Sequence, residues 1–259
     1  MMHDNPGSGS HDAAASVLRR LALRANGMSG ADVERVIRQA RQKARRAGRP
    51  LSWDDLEALL AARRPKQPEE LRRHMAVHEA GHAIARLVYR LGRIRMITID
   101  GPSGSGYVQT EMLPFAENEE GLTCSLVVLL AGRAAEEGVI GSALAGSGNG
   151  QESDLARATE LAARMELAFG YGRSLPLLYR PPSDRSALLC YQPEIARQVD
   201  ARLAAAYDRA RALIEANRAP LETVAETLLV ADTLEGGELE ALIAAIKPRL
   251  MIPDAGPHA

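Results

Sequence analysis

The sequence is poor in aromatic residues and poorer still in cysteine. One Trp, six Tyr and two Phe make up 3% of its 259 residues, so any core has to be built from aliphatic side chains. Cys124 and Cys190 are the two cysteines. They stand far apart and form no C-x-x-C pair. That excludes a disulfide framework and a thiolate metal site, and it suits free or buried thiols in a reducing compartment. No apolar run reaches the ~20 residues that a membrane-spanning helix needs. The opening MMHDNPGSGSHD lacks the apolar segment of a secretory signal. The net charge is -1, so no global field draws the chain toward nucleic acid or anionic lipid. The expectation is a soluble, cytoplasmic protein with no direct membrane span.

What the sequence has in abundance is alanine, 44 residues in all. Alanine favours helix because it loses no side-chain entropy there. Hydrophobic residues make up 46% and charged residues 25%, an ordinary globular balance. The charge is unevenly spread: residues 1–77 hold 15 Lys/Arg against 9 Asp/Glu, and residues 78–259 hold 17 against 24.

The patterning divides the chain. Residues 1–12 are expected to form a disordered tail and residues 13–64 a small three-helix unit. In that unit Val33, Val36, Ile37 and Ala40 make a buried face, and Ser29 and Ser52 stand at cap positions. A polar linker with two prolines, residues 63–70, leads into a larger domain over residues 65–250, and residues 251–259 form a second tail. The fold class is mainly α, with a small β-hairpin or sheet. Helices are expected at 71–91, 120–140, 154–169, 193–217, 219–230 and 236–247. Strands are expected at Ile94–Ile99 and Tyr107–Met112, on either side of the turn-rich GPSGSG. Residues 141–150 read as a flexible loop and residues 170–192 as irregular.

The sharpest feature is H-E-x-x-H at His78-Glu79-Ala80-Gly81-His82, within a helical segment. Residues four apart on a helix lie ~40° apart around the axis and ~6 Å along it, so both imidazoles leave one face. That arrangement suits two ligands of one Zn²⁺. Glu79, next to the first imidazole, is placed to take a proton from metal-activated water. His74 continues the four-residue spacing. It lies ~12 Å along the axis from His82, too far to share one ion, and reads as a solvated or supporting residue.

Two histidines leave the site incomplete. Ala85 and Val88 stand where the extended metzincin pattern needs Gly and His, which excludes that pattern. His3, His11 and His258 lie in the expected tails. The third ligand is therefore expected to be a carboxylate, with Glu136, Glu137 and Asp154 as candidates. Asp154 sits where a Gly-rich loop meets a helix start. Glu136 and Glu137 could equally support the histidines or stand at the surface.

These residues resemble the peptidase domain of the FtsH family of ATP-dependent zinc proteases. AVHEAGHAIARLV is similar to the family's zinc helix, and MITIDGPSGSGYVQTEMLP to its strand–loop–strand segment. LLAGRAAEEGVIG resembles its G-R-x-A-E-E helix. SDLARATELAARM resembles the segment that supplies the third ligand, and the stretch from Val199 to Ile243 its closing helical bundle. The resemblance covers residues 65–247. It implies a zinc cofactor with His78, His82 and Asp154 as ligands and Glu79 as general base. Glu136 is kept as a supporting residue or alternative ligand. By analogy, Gly106, Tyr107 and Val108 would pair with an extended substrate backbone. Residues 27–60 resemble the helical lid of the AAA ATPase module, but G-x-x-x-x-G-K-[ST] does not occur in this sequence. An ATPase-less homologue and a fragment of a longer protease both fit. In the approach to Asp154, Glu152-Ser153 and a longer Gly-rich loop replace the family's shorter T-G-A-S-N-D.

The expected function is a zinc metalloendopeptidase acting on unfolded or extended polypeptides, with a AAA ATPase partner and a homo-hexamer as the assemblies implied. The rival is a catalytically inactive scaffold that binds a AAA partner or a client. A third reading, nucleic-acid binding through the basic stretch Arg35–Arg49, has little support. That stretch carries no interleaved aromatics and reads as a solvated helix face.

Overall fold

The computed structural model describes residues 17–18, 21–22, 24–25, 27–63, 67–101, 104–148, 150–174, 176–179 and 192–253. The expected tail 1–12, residues 254–259, His3, His11, His258 and Cys190 lie outside them. Among the described residues there are eight helices and one three-stranded sheet. The mainly α expectation therefore holds. The chain divides into two compact units: residues up to 69 together with 100–105, and residues 70–99 together with those from 106 onward.

The first unit contains α1 (Gly30–Arg46) and α2 (Trp53–Arg63). Residues 17–18, 21–22 and 24 are also helical. The Ser29 hydroxyl caps α1 by accepting from the Asp32 amide at 3.2 Å. Val36, Ala40 and Ala44 are buried at four-residue spacing, and Val36 joins Leu21 and Leu60 in an apolar cluster. Arg35, Arg38, Arg41, Lys43, Arg45 and Arg46 stand exposed around the rest of α1. Asp55 is buried at the start of α2. It accepts two hydrogen bonds from the Arg49 guanidinium, at 2.7 and 2.6 Å, and two from Ser52, both at 3.0 Å.

The second unit is built around α3 (Glu69–Tyr89), which is buried on nearly every side from His74 to Val88. A helix buried on nearly every side belongs at the centre of a domain, and here it carries His74, Glu79 and His82 into that interior. It leads through Gly92, whose φ of +93° makes the tight turn, into β1 (Arg93–Thr98) and then β2 (Tyr107–Glu111). These strands pair antiparallel from Arg93 opposite Glu111 to Thr98 opposite Tyr107, with an irregularity between Ile94 and Met96. After them come α4 (Glu119–Val139), a 3₁₀ turn at Ala145–Gly148, α5 (Asp154–Leu167), α6 (Pro193–Ala216), α7 (Arg218–Ala231), β3 (Thr233–Glu235) and α8 (Gly236–Ile246). Helix α4 packs along α5 and α6.

Two findings depart from the sequence reading. The expected loop at 141–150 contains a 3₁₀ turn. The sheet also gains β3, which pairs with β1 from Met96 opposite Glu235 to Thr98 opposite Thr233. Three residues carry no periodicity, so β3 leaves no trace in the pattern. The strand order is β2-β1-β3, so one edge of β2 is left unpaired within the sheet.

The Arg49 guanidinium and the Ser52 donors hold the Asp55 carboxyl well below the usual carboxylate range, against the opposing effect of burial. A carboxyl with a depressed folded pKa contributes stability that is fully present above its unfolded value of ~3.9 and is lost as pH falls through the folded value. Trp53, the single tryptophan, sits two residues away and reports on this corner. Below about pH 4 the stability advantage of the wild type over Asp55→Asn, followed by Trp53 fluorescence, should shrink steadily. An advantage that stays constant from neutral pH down to pH ~2 would refute the assignment.

Candidate metal centre

The site begins with helical spacing on α3. His78 and His82 project from one face, their rings 4.7 Å apart at 76°. Their Nε2 atoms are 3.0 Å from each other. Asp154 is the first residue of α5, capped by the Ser153 hydroxyl, which accepts from the Ala156 amide at 3.3 Å. A helix N-terminus favours an anion. Asp154 Oδ2 lies 3.1 Å from His78 Nε2 and 3.0 Å from His82 Nε2. Three ligand atoms thus stand nearly equidistant. Tetrahedral ligands at ~2.0–2.1 Å from zinc stand roughly 3.3–3.4 Å apart, so small movements would open this triangle onto an ion.

The other ring nitrogens are fixed from behind. His78 Nδ1 donates to Glu136 Oε1 at 2.7 Å, and His82 Nδ1 to the Val128 carbonyl at 2.8 Å. With Nδ1 holding its proton on these acceptors, each Nε2 is the nitrogen that can offer a lone pair to a metal. Glu136 Oε2 also meets His74 Nδ1 at 2.8 Å and the Leu144 amide at 2.9 Å. Glu136 is therefore turned toward the backs of the rings and away from the triangle. His74 is buried against the same carboxylate. Glu137 points elsewhere, to Arg133 at 2.9 Å and Tyr207 at 2.5 Å.

Space for an ion comes from a missing side chain. A Cβ on Gly132 of α4 would lie 2.6 Å from both His78 Nε2 and His82 Nε2. Only glycine leaves the imidazoles room at this point. A Cβ on Gly81 would meet the Ala131 carbonyl at 2.6 Å and the Ala135 methyl at 2.7 Å, so that glycine sets how closely α3 and α4 approach. Neither role was foreseen from the sequence, although a glycine inside a helix costs ~1 kcal/mol relative to alanine and so signals a local need.

Electrostatics separate the acids. Burial alone would raise Asp154, but the His82 and His78 charges outweigh it and hold the carboxyl well below its usual range. Burial opposes ionisation of Glu136 too, yet the hydrogen bonds from His78, Leu144 and His74 lower it. Glu79 is buried and its carboxyl is raised, by burial above all and despite the neighbouring imidazoles. Burial pulls the His78 imidazole down, but its bonds with Asp154 and Glu136 win and raise it to about 10, so in the metal-free protein its Nε2 also carries a proton, which a binding metal would displace.

Gly106 closes the other side. A Cβ there would lie 2.6 Å from Glu79 Oε1, so the chain entering β2 passes directly over that carboxyl. Tyr107 and Val108 follow, both half-buried. Among the described residues, His78, His82 and Asp154 are the group able to hold a metal ion. Two imidazole nitrogens, one carboxylate oxygen and a cleared space make the donor set of a three-ligand catalytic zinc site.

The Peptidase family M41 pattern matches residues 66–242. The chain belongs to peptidase family M41. Curated relatives include the ATP-dependent zinc metalloprotease FtsH 1 of Sorangium cellulosum, 33% identical over 92% of this chain and 42% of its own length. The ATP-dependent zinc metalloprotease FtsH of Thermotoga maritima is 32% identical over 88% of this chain and 41% of its own length. This M41 chain thus spans about two fifths of the length of those relatives.

Gly132→Ala should leave the helices intact and push the imidazoles apart. Glu136→Gln should leave them less firmly oriented. Each should weaken zinc binding by about 10–100-fold, measured by competition with a chromophoric chelator. Wild-type affinity in both variants would remove the basis for this site.

Proposed function

We propose that this chain is a zinc endopeptidase module that hydrolyses unfolded or extended polypeptides by attack of activated water. The observation that carries the proposal is the meeting of His78 Nε2, His82 Nε2 and Asp154 Oδ2 within 3.1 Å of one another. The zinc-metalloprotease character of the family and its relatives supports it. A zinc ion held there supplies a Lewis acid for the scissile carbonyl and brings the pKa of attacking water near ~7.

The chain's own residues do the rest. Glu79 is the general base: its buried carboxyl, pushed upward, is suited to take the proton from water and pass it to the leaving amine. Glu136 and the Val128 carbonyl hold the two imidazoles in one tautomer. The unpaired edge of β2 offers backbone groups to an extended peptide, the mode called β-augmentation, and Gly106 sets that edge against Glu79. Gly106, Tyr107 and Val108 then align substrate.

The scope of the proposal follows from the chemistry. An edge strand can accept only a chain that is already extended. Folded substrates would need an unfolding partner, and a AAA ATPase is the partner that the family relationship suggests. We place the protein in the cytoplasm and expect a homo-hexamer. Sedimentation should find a six-fold assembly, and a monomer at micromolar concentration would overturn that part.

Cleavage of casein or a labelled extended peptide should be abolished by a chelator and restored by zinc. Glu79→Gln should lower kcat at least about 10²–10⁴-fold, the usual worth of a general base, while retaining one zinc per chain. Undiminished cleavage by the zinc-loaded variant would sink the general-base role.

A further inference from the structure

The four-residue spacing on α3 does not stop at His82: Arg86 lies one turn further along the same helix. It is half-buried. Its Nε–H is buried and donates to no partner among the described residues. Its one hydrogen bond, from a terminal nitrogen to the Leu91 carbonyl, is 3.5 Å long, at the outer limit of a useful bond. On the facing helix α5, Arg157 lies three residues after Asp154, on the same side, and is exposed. The helices meet where His82 Nε2 and Asp154 Oδ2 stand 3.0 Å apart. The Arg86 guanidinium is near enough to this meeting point to feel the charges of Arg157, Asp154 and Glu79.

No carboxylate of a described residue forms an ion pair with either arginine. Asp154, the nearest acid in sequence to Arg157, is already committed to both imidazoles. Arg86 also feels Arg157 as a repelling charge: its guanidinium is lowered by burial first and by that neighbour second, and the attraction of Asp154 and Glu79 only partly offsets them. A cation half withdrawn from water, with an unmet donor and a like charge beside it, is an unfavourable arrangement in the free protein. A carboxylate would satisfy the donor and relieve the repulsion, through the planar fork that arginine presents to such a group.

We propose that Arg86 and Arg157 form a carboxylate-binding subsite at the border of the His78–His82–Asp154 centre, selecting peptides with a carboxylate close to the bond to be cleaved. The inference rests on the peptidase reading above and adds to it a class of substrate. The carboxylate could belong to an Asp or Glu side chain or to the C-terminus of the peptide.

The test uses the full chain loaded with zinc and two pairs of otherwise identical peptides. One pair differs as Glu against Gln near the scissile bond. The other differs as a free C-terminal carboxylate against its amide. Cleavage is measured on the wild type, Arg86→Gln and Arg157→Gln, and binding by anisotropy on each of these in a Glu79→Gln background. Zinc content checks that each variant keeps its centre. The wild type should prefer the carboxylate member of at least one pair by about tenfold, and each arginine substitution should bring that ratio down toward one. The pair that responds identifies the source of the carboxylate. Equal cleavage and equal binding of both members of both pairs would overturn the subsite while leaving the peptidase reading standing. Absence of chelator-sensitive cleavage would remove the peptidase reading. The binding ratios would still decide whether the two arginines hold a carboxylate.

Discussion

The centre depends on how closely α3 and α4 approach. Two faces with the same four-residue repeat are set antiparallel: His74, His78 and His82 on one helix, Val128, Gly132 and Glu136 on the other. Glu136 meets His74 and His78, and the Val128 carbonyl meets His82. Gly132 lies under both ligand imidazoles. The register works only because Gly81 has no side chain to strike Ala131 and Ala135. A methyl at either glycine would have to separate the helices or tilt the rings. Close packing of the two helices and orientation of the metal-facing nitrogens are therefore one constraint.

This constraint explains which parts of the site could be read in the sequence. His78, Glu79 and His82 are legible because their relation is local: a spacing of four on one helix fixes it. Asp154 is 72 residues beyond His82, so spacing could only name it beside Glu136 and Glu137. Resemblance to a family placed it first, and the fold alone brings its carboxylate to the imidazoles. Glu136 illustrates the difficulty. Its residue type suits a ligand, but its position on α4 carries it to the Nδ1 side of the ring. His74 could be excluded from the ion by distance along the helix, yet its partnership with Glu136 needed the second helix to be in place.

The fold divides the same way. Helix caps and apolar stripes are short-range signals, and the helices fall within a few residues of where periodicity puts them. Strand β3 depends on pairing with β1 across more than 130 residues. Its three residues have no pattern of their own. Gly132 belongs to the same class, since it matters for what it leaves vacant, and vacancy is a property of the partner helix.

Two buried acids on neighbouring helices are driven in opposite directions, and this separates their parts in the proposed chemistry. Glu136, 2% exposed, is surrounded by donors that keep it ionised, so it can hold an imidazole proton in place without exchanging it. Glu79, 6% exposed, is pushed up by burial above all. Its carboxyl lies against the chain at Gly106, away from the imidazole backs that Glu136 occupies. A carboxyl held below its normal range is a poor proton carrier, and one raised above it is a better one. A single residue type thus serves as a fixed anchor on α4 and, under the proposed mechanism, as a proton acceptor on α3. The difference between them is that hydrogen-bond donors offset burial at Glu136, whereas burial prevails at Glu79.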